Sequence, residues 1–244
     1  MNQASFYFRS GLTVFLPVKW REVWVTYAFN QDQSVKHLVE SMGVPHTEVG
    51  KILINGQPVG FDSLVSDGDH VEVFPHEDRQ PGEPVPQSEE LEPRFVLDNH
   101  LGKLATYLRM LGFDCWYEND YQDDQLEQIA CQEQRILLSR DHLLFMRKRI
   151  TAGYWLRSQI PEKQLQEVMQ RFNLTPKIQP LSRCMRCNHP LTPVSKAQVI
   201  DRLEPLTKKY FEVFSLCPEC KQVYWQGSHY HKMIGFIDRL LKGL

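Results

Sequence analysis

Hydrophobic and polar positions in residues 1–79 alternate as expected for half-buried β-strands. Two alternating runs, SFYFR and VWVTYA, come first, and Ser34 then precedes a short amphipathic helix. Two further runs, KILIN and VEVFP, adjoin the turn sequences Asn55-Gly56 and Asp67-Gly68-Asp69. The order strand, strand, helix, strand, strand predicts a β-grasp domain over residues 1–79.

From Arg94 the pattern changes to short apolar strands that alternate with helices. RFVLD, DCWYE and RILLSRD predict three strands, and GYWLR with EKQLQEVMQRF predicts a fourth strand and helix. A helix is also predicted through LLFMRKR. A stripe of leucines in the first helix stops at Gly112, where a glycine commonly ends a helix. Alternation at this spacing predicts an α/β fold over residues 94–180, with a parallel sheet flanked by helices.

Composition divides the chain further. Residues 80–93 (QPGEPVPQSEELEP) are rich in proline and glutamate and predict a linker. The formal net charge of −2 is unevenly distributed: residues 1–79 and 80–93 carry −4 each, residues 94–180 carry +1, and residues 181–244 carry +5. The basic end favours a phosphate-bearing partner, although a solvated surface explains it as well. No run of apolar residues approaches membrane-spanning length and none resembles an export signal, so we expect a soluble, cytoplasmic protein without a membrane partner.

The last 64 residues contain two Cys-x-x-Cys pairs. Four thiolates in two tight pairs satisfy one tetrahedral zinc ion, so residues 181–244 are predicted to form a zinc ribbon. Two disulfides or a redox dithiol are the alternatives, and they need an oxidising compartment or a thioredoxin-like context. Because all four ligands are cysteines, the zinc is expected to be structural. The predicted ligands are Cys184, Cys187, Cys217 and Cys220.

Carboxylates follow the predicted strands of the α/β module. Asp98 ends the first strand, Asp141 follows the third, and Asp123 and Asp124 begin the helix between them. Ligands of α/β folds bind at the carboxyl ends of the strands, and clustered carboxylates select Mg²⁺ or Mn²⁺. Such an ion can activate water against a phosphodiester. Capping of a helix N-terminus is the alternative role for each aspartate. Asn99-His100 separate Asp98 from the leucine stripe, which argues against the simplest cap there.

Basic and aromatic residues near these motifs suit nucleic acid. Arg140, Arg147, Lys148 and Arg149 surround Asp141 and could hold an RNA backbone, although solvated helix faces look the same. After the second cysteine pair come several aromatic and histidine residues on which unpaired bases could stack. Tyr224 and Trp225 are adjacent in a strand, so at least one is expected in the core. These aromatic and histidine residues are Tyr224, Trp225, His229, Tyr230 and His231.

Several segments within residues 94–236 stand in a characteristic order, from LDNHLGKLATYLRMLGFDCWYEND through ILLSRD to RCMRCNHPL, CPEC and VYWQGSHYHKM. In these segments the chain resembles the Mut-seven C-terminal ribonuclease family, PIN-like nucleases with a fused zinc ribbon. The resemblance implies that Asp98, Asp123 and Asp141 bind the catalytic metal, with Asp124 as a possible substitute for Asp123. Lys103 and Arg109, in LGKLATYLRMLG, could approach the scissile phosphate.

The stretch INGQPVGFDSLVSDGDHVEVFP is similar to ubiquitin-like sulfur carriers, and a β-grasp domain is a known fusion partner in this nuclease family. The carriers work through a terminal Gly-Gly, whereas here Phe74-Pro75 continues into the linker. A sulfur-transfer role is therefore disfavoured. The acidic β-grasp is expected to dock a protein or to restrain the nuclease module rather than to bind RNA.

The sequence thus predicts a cytoplasmic, Mg²⁺- or Mn²⁺-dependent ribonuclease that hydrolyses single-stranded or loop RNA. Lys103, Arg109, Arg140 and Arg147 are its predicted substrate-binding residues. The alternative is a non-catalytic RNA- or ribosome-associated protein in which the acids are structural.

Overall fold

A computed structural model describes residues 1–78 and 91–242, so residues 80–90 of the predicted linker lie outside the described residues. The N-terminal module has a mixed sheet in the order β2-β1-β7-β4-β5, with β1 and β7 parallel at its centre. The β-grasp fold predicted from the strand order is confirmed. Its elements are β1 (Asn2–Phe8), β2 (Val25–Phe29), β3 (Gln33–Ser34), α1 (Val35–Ser41), β4 (Val49–Ile54), β5 (Gln57–Val59), β6 (Leu64–Val65) and β7 (His70–Pro75).

The core of this module follows from the alternation in its strands. Phe6 and Phe8 of β1 and Val71 and Val73 of β7 are at most 2 % exposed. Helix α1 covers the sheet with its own buried residues, and the hydroxyl of Ser34 caps it by accepting the N–H of His37 at 3.3 Å. The apolar period of each element therefore meets the same core.

The central module contains parallel strand pairs flanked by helices. β8 pairs with β9 and β10 pairs with β11, both in parallel. The predicted α/β class is confirmed. Its elements are β8 (Arg94–Leu97), α2 (Gly102–Met110), β9 (Asp114–Trp116), α3 (Asp123–Gln132), β10 (Ile136–Ser139), β11 (Gly153–Trp155) and α4 (Pro161–Arg171).

The helix predicted through LLFMRKR is wrong in type and extent. The chain forms a 3-10 turn over His142–Met146, and Arg147 already has an extended backbone. The fully buried ring of Phe145 lies against Gly153, where a Cβ would stand 2.5 Å from the ring. Because the chain must return to β11 within a few residues, this packing ends the helical turn early.

The chain divides into two compact units, and the division cuts through the predicted central module. The first unit contains residues 1–92 and 122–156, and the second contains residues 93–121 and 157–244. In the first unit the β-grasp contacts β11: the Trp155 N–H donates to Glu48 Oε1 at 2.8 Å, and the ring of Phe15 lies 5.1 Å from that of Trp155. The module boundaries at 79, 93 and 180 stay predictions.

The C-terminal module has a three-stranded antiparallel sheet with β13 in the middle. Among the residues that the structure describes, a small buried cluster in this module consists of Val199, Leu203, Phe214 and Val223, with three half-buried neighbours. A core this small rarely stabilises a fold without a staple such as a metal. No helix in the described part of the chain combines the length and the apolarity needed to span a bilayer. The elements are β12 (Thr192–Val194), α5 (Lys196–Val199), α6 (Pro205–Tyr210), β13 (Phe214–Leu216), β14 (Val223–Trp225) and α7 (Ser228–Lys242).

Candidate metal centre and catalytic residues

The four predicted zinc ligands converge in the second unit. The Sγ atoms of Cys184 and Cys220 are 3.5 Å apart, those of Cys187 and Cys217 are 3.3 Å apart, and all four lie within 4.8 Å of one another. A tetrahedron with Zn–S bonds of about 2.3 Å has edges of about 3.8 Å, so the quartet fits zinc. Within residues 1–78 and 91–242, this is the one group of three or more His, Cys, Asp or Glu residues gathered closely enough to hold a metal ion.

The two cysteine turns have the same backbone conformation. Cys184 N–H donates to the carbonyl five residues on, and its own carbonyl accepts from the N–H of Asn188, four residues on. Cys217 makes the equivalent bonds, with Lys221 in the place of Asn188. Asn188 and Lys221 have left-handed backbones, with φ of 70° and 60°. Both turns are therefore the paired knuckles of a zinc ribbon, built by local backbone hydrogen bonds.

Tyr224 supports the quartet from β14. Its hydroxyl lies 3.1 Å from Cys184 Sγ and accepts the N–H of Met185 at 3.2 Å. Burial alone would raise the pKa of Cys184, but hydrogen bonds from Tyr224 and from the backbone N–H groups of Cys187 and Arg186 lower it to about 7. A lowered pKa favours the thiolate that a metal requires at Cys184, whereas burial raises the pKa of Cys187 and of Cys220. The expectation that at least one of the adjacent aromatic residues lies in the core is wrong: Tyr224 is half-buried, Trp225 is exposed, and Val223 provides the buried position of β14.

The first knuckle is anchored to the parallel strands through Asn188 and Arg109. Asn188, 6 % exposed, accepts the N–H of Cys115 at 2.9 Å and donates to Asp114 Oδ1 at 2.8 Å. Arg109, 5 % exposed, donates to the carbonyls of Cys115, Met185 and Arg186 at 3.0–3.3 Å. This geometry assigns Arg109 a structural part. The role of Asn188 escaped sequence reasoning, since nothing local distinguishes it from an ordinary turn asparagine.

Asp123 and Asp124 occupy the first turn of α3, where Gln122 and Gln125 form a capping box. In the same unit both carboxylates face Arg147: Nη1 lies 2.6 Å from Asp124 and 2.9 Å from Glu127, and Nη2 lies 3.5 Å from Asp123. The hydrogen bonds to Asp124 and Glu127 raise the pKa of Arg147. The structure thus joins two predicted metal ligands to a predicted phosphate-binding residue, and it adds Glu127, which sequence reasoning missed.

Asp141 follows the carboxyl end of β10 in the first unit and is exposed. Its Oδ1 caps the next 3-10 turn by accepting the N–H of Leu143 at 2.9 Å. Its own N–H donates to the buried hydroxyl of Ser139 at 2.9 Å. The Ser139 hydroxyl therefore fixes the backbone that presents Asp141, and capping engages one of its two oxygens.

Asp98 follows the carboxyl end of β8 in the second unit. It caps the 3-10 turn Asn99–Leu101 by accepting the N–H of Asn99 at 2.6 Å, so the argument that Asn99-His100 keep it from a cap position is wrong. A short 3-10 turn precedes α2, which the helical period of the leucines does not reveal. Beside it, the Tyr117 hydroxyl lies 2.8 Å from the carbonyl of Asn99, and a Cβ at Gly102 would meet that hydroxyl at 2.7 Å.

The remaining predicted substrate residues are exposed. Lys103 lies over the ring of Tyr107 at 5.2 Å, and the Tyr107 hydroxyl donates to Glu162 at 2.5 Å. Burial first, and then Glu162, raise the pKa of Tyr107 to about 12. Arg140 precedes Asp141, and its carbonyl accepts the indole N–H of Trp155 at 3.0 Å. Their contacts with substrate stay predictions.

Residues 93–237, more than half of the chain, match the family model described as Mut7-C RNAse domain. The chain belongs to the Mut7-C RNAse family. Residues 1–81 match a second model, described as Mut7-C ubiquitin, so the ubiquitin-like module is shown as well. The Mut7-C RNAse match spans the four cysteines and the four predicted carboxylates, and it indicates a ribonuclease-type function.

Two solved structures from Haloferax volcanii resemble parts of this Mut7-C chain. The solution structure of the HVO 2177 protein is 18% identical, with 33% of this chain and 87% of that chain covered and a TM-score of 0.27. The crystal structure of small archaeal modifier protein 1 is 16% identical, with 31% and 98% covered and a TM-score of 0.25. No curated protein matches the chain.

Proposed function

We propose that this protein is a metal-dependent ribonuclease that hydrolyses phosphodiester bonds in single-stranded or loop RNA. The observation that carries the proposal is the position of two aspartates inside the matched ribonuclease region: Asp98 directly follows β8, and Asp141 comes two residues after the end of β10, each strand having its own parallel partner. In α/β folds, ligands bind outside the carboxyl ends of such strands. A cytoplasmic location, where the cysteines stay reduced, is part of the proposal.

In this proposal Asp98, Asp123 and Asp141 hold Mg²⁺ or Mn²⁺, with Asp124 as the alternative to Asp123; because these carboxylates do not form a metal-sized group in the described structure, the ion would have to draw them together. Their oxygen-only donor set suits these ions. The ion pairs of Arg147 with Asp123 and Asp124 support the fit, because these acids already bind a cationic group. When bound, the ion would activate a water and stabilise the leaving oxygen.

The chain's own residues would position the RNA. Ser139 and the turn after it hold Asp141 in place. In this proposal Arg147 neutralises Asp123 and Asp124 in the free protein and pairs with a phosphate when RNA binds, as guanidinium groups do well. Arg140 and Lys103, both exposed, would hold neighbouring phosphates, whereas the buried Arg109 would keep its structural bonds.

The test uses the full-length, zinc-loaded protein with an RNA labelled at both ends, with and without added Mg²⁺ or Mn²⁺. We expect metal-dependent cleavage that Asp141→Asn reduces by at least about a hundredfold, because a ligand and its charge are lost. Asp62→Asn, at an exposed β-grasp aspartate, is the control and should cleave normally. Equal cleavage by Asp141→Asn and wild type would overturn the proposal. The two labels distinguish internal from terminal cutting.

A non-catalytic RNA- or ribosome-associated protein is the second candidate. The observation that favours it is the neutralisation of Asp123, Asp124 and Glu127 by Arg147, which can be a purely structural ion-pair network. Binding of RNA without cleavage at any tested Mg²⁺ or Mn²⁺ concentration would support this candidate.

A further inference from the structure

A cavity of about 360 Å³ opens between β14 and the first turn of α7 in the second unit. Its volume falls in the range of ordinary small-ligand sites. Its walls include Met185, Trp225, His229, Tyr230 and Met233. Tyr224 also contributes to the wall, but its hydroxyl is committed to Cys184 and Met185. The zinc knuckle therefore supports one side of an aromatic cavity.

The indole of Trp225 is held in a defined position although it is 38 % exposed. The chain folds back beneath it, because the Gly227 N–H donates to the Trp225 carbonyl at 2.9 Å. A Cβ at Gly227 would stand 2.8 Å from the indole Nε1, so glycine permits this close approach. The ring of Tyr230 lies within the first turn of α7, at 5.6 Å from the ring of His231. A ligand that stacks here meets rings that need little further ordering.

The charge around the cavity fits an anionic partner. No carboxylate is among its lining residues, and the acids that come next in the sequence, Glu219 and Asp238, lie outside the lining segment 222–233. Lys221 directly precedes this lining segment, and Lys232 lies inside it; both lysines are exposed. A flat aromatic surface with cations beside it and no acids is the combination that single-stranded nucleic acid uses, since bases stack on rings and phosphates meet lysines.

We infer that this cavity binds an unpaired nucleobase of single-stranded RNA, with Trp225 and Tyr230 as the stacking rings. The inference rests on the proposed ribonuclease function, because it names a base-binding site for the RNA substrate of that function. It requires the folded zinc ribbon but no chemistry from the metal.

The experiment measures binding of a short labelled oligoadenylate to full-length, zinc-loaded protein by fluorescence anisotropy, without added Mg²⁺ or Mn²⁺. Trp225→Ala is expected to weaken binding about tenfold, and Trp225→Phe to restore most of it, because a ring remains for stacking. Trp24→Ala is the matched control, since this indole is 49 % exposed and lies in the β-grasp. The salt dependence should keep its slope in Trp225→Ala, because phosphate contacts are unchanged.

An abasic oligomer of the same length, tested with the wild-type protein, needs no substitution and so cannot be confused with misfolding. It should bind about tenfold more weakly than oligoadenylate. Equal affinity for the two oligomers, or unchanged affinity of zinc-replete Trp225→Ala, would overturn the inference and leave the cavity to an apolar peptide side chain. Base-dependent binding without cleavage would instead count against the ribonuclease proposal alone.

Discussion

Glu48 is expected to be the residue through which the β-grasp stabilises the edge of the parallel strands. Its carboxylate is 2 % exposed and accepts the N–H of Trp155, in β11, at 2.8 Å. A hydrogen bond to a charged acceptor contributes about 1.5–3 kcal/mol, and a buried donor left without its acceptor costs a similar amount. Glu48→Ala should therefore lower the opening free energy of β11 by about 2–3 kcal/mol.

Hydrogen exchange followed by mass spectrometry measures this effect in the intact protein. For a peptide covering β11, exchange should accelerate about 30- to 150-fold in Glu48→Ala, because exchange from a locally opened state scales with the opening equilibrium. Glu48→Gln keeps a carbonyl oxygen and should have a smaller effect. The loop before β11 contains Asp141, so cleavage should fall together with protection.

Glu212→Ala is the control, because its carboxylate makes an equally short contact, 2.6 Å to Lys196, but is 73 % exposed. Surface pairs of this kind contribute about 0–1 kcal/mol. If Glu48→Ala changed exchange in β11 no more than Glu212→Ala does, the β-grasp would not support β11 through Glu48 and this reasoning would fail.

Three further outcomes are expected. Cys217→Ser should lose zinc and unfold the ribbon, because structural zinc contributes about 10 kcal/mol or more to such modules; elemental analysis showing full zinc in this variant would contradict it. Gly112→Ala should destabilise the second unit by about 2 kcal/mol or more in urea unfolding, because φ at Gly112 is +95° and a Cβ would stand 2.2 Å from the Gln179 carbonyl oxygen. Gly60→Ala is the control and should be nearly neutral, because nothing lies within 4 Å of a Cβ built there. For Glu40, burial raises the pKa, but the hydrogen bond and charge of His46, with Lys36 and His37, outweigh burial and lower it. Because the pKa of Glu40 is lower in the folded protein than in the unfolded chain, its ionised carboxylate stabilises the folded protein at pH values above 4.5. This stabilisation is lost as the pH falls through the folded-state pKa. Glu40→Gln should thus cost about 1 kcal/mol at pH 7 and progressively less below pH 4.5, and a pH-independent difference in unfolding free energy would contradict this.

Contacts in the first unit give the ubiquitin-like module a structural part besides any docking role. Phe15 lies 6.3 Å from His142, the residue after Asp141, and Glu48 binds β11. These contacts are consistent with the expected restraint of the nuclease module by the β-grasp. They also imply that removal of residues 1–78 would expose apolar surface beside the Asp141 turn.

Features governed by local chemistry could be read from the sequence alone. The cysteine spacing predicted the quartet because each knuckle closes within six residues through its own backbone hydrogen bonds. The leucine stripe and Gly112 predicted α2 and its end, since helical period and a left-handed glycine are properties of short segments. Alternation within each strand is also a property of a short segment, so it predicted which segments form strands. The order of strands and helices along the chain then predicted the β-grasp and the parallel pairs.

Only the tertiary structure decided how distant residues are used. Cys115 and Asn188 are 73 positions apart, and Glu48 and Trp155 are 107 apart, yet each pair shares a hydrogen bond. From the sequence, Arg109 is expected to be a surface cation of α2. In the folded protein it is buried, and its guanidinium donates hydrogen bonds to three carbonyls of β9 and the first knuckle. Arg147 reads as a phosphate ligand, but α3 brings carboxylates to it. Periodicity records which face of an element is apolar; which polar groups meet on burial depends on the packing of elements that are far apart in the chain.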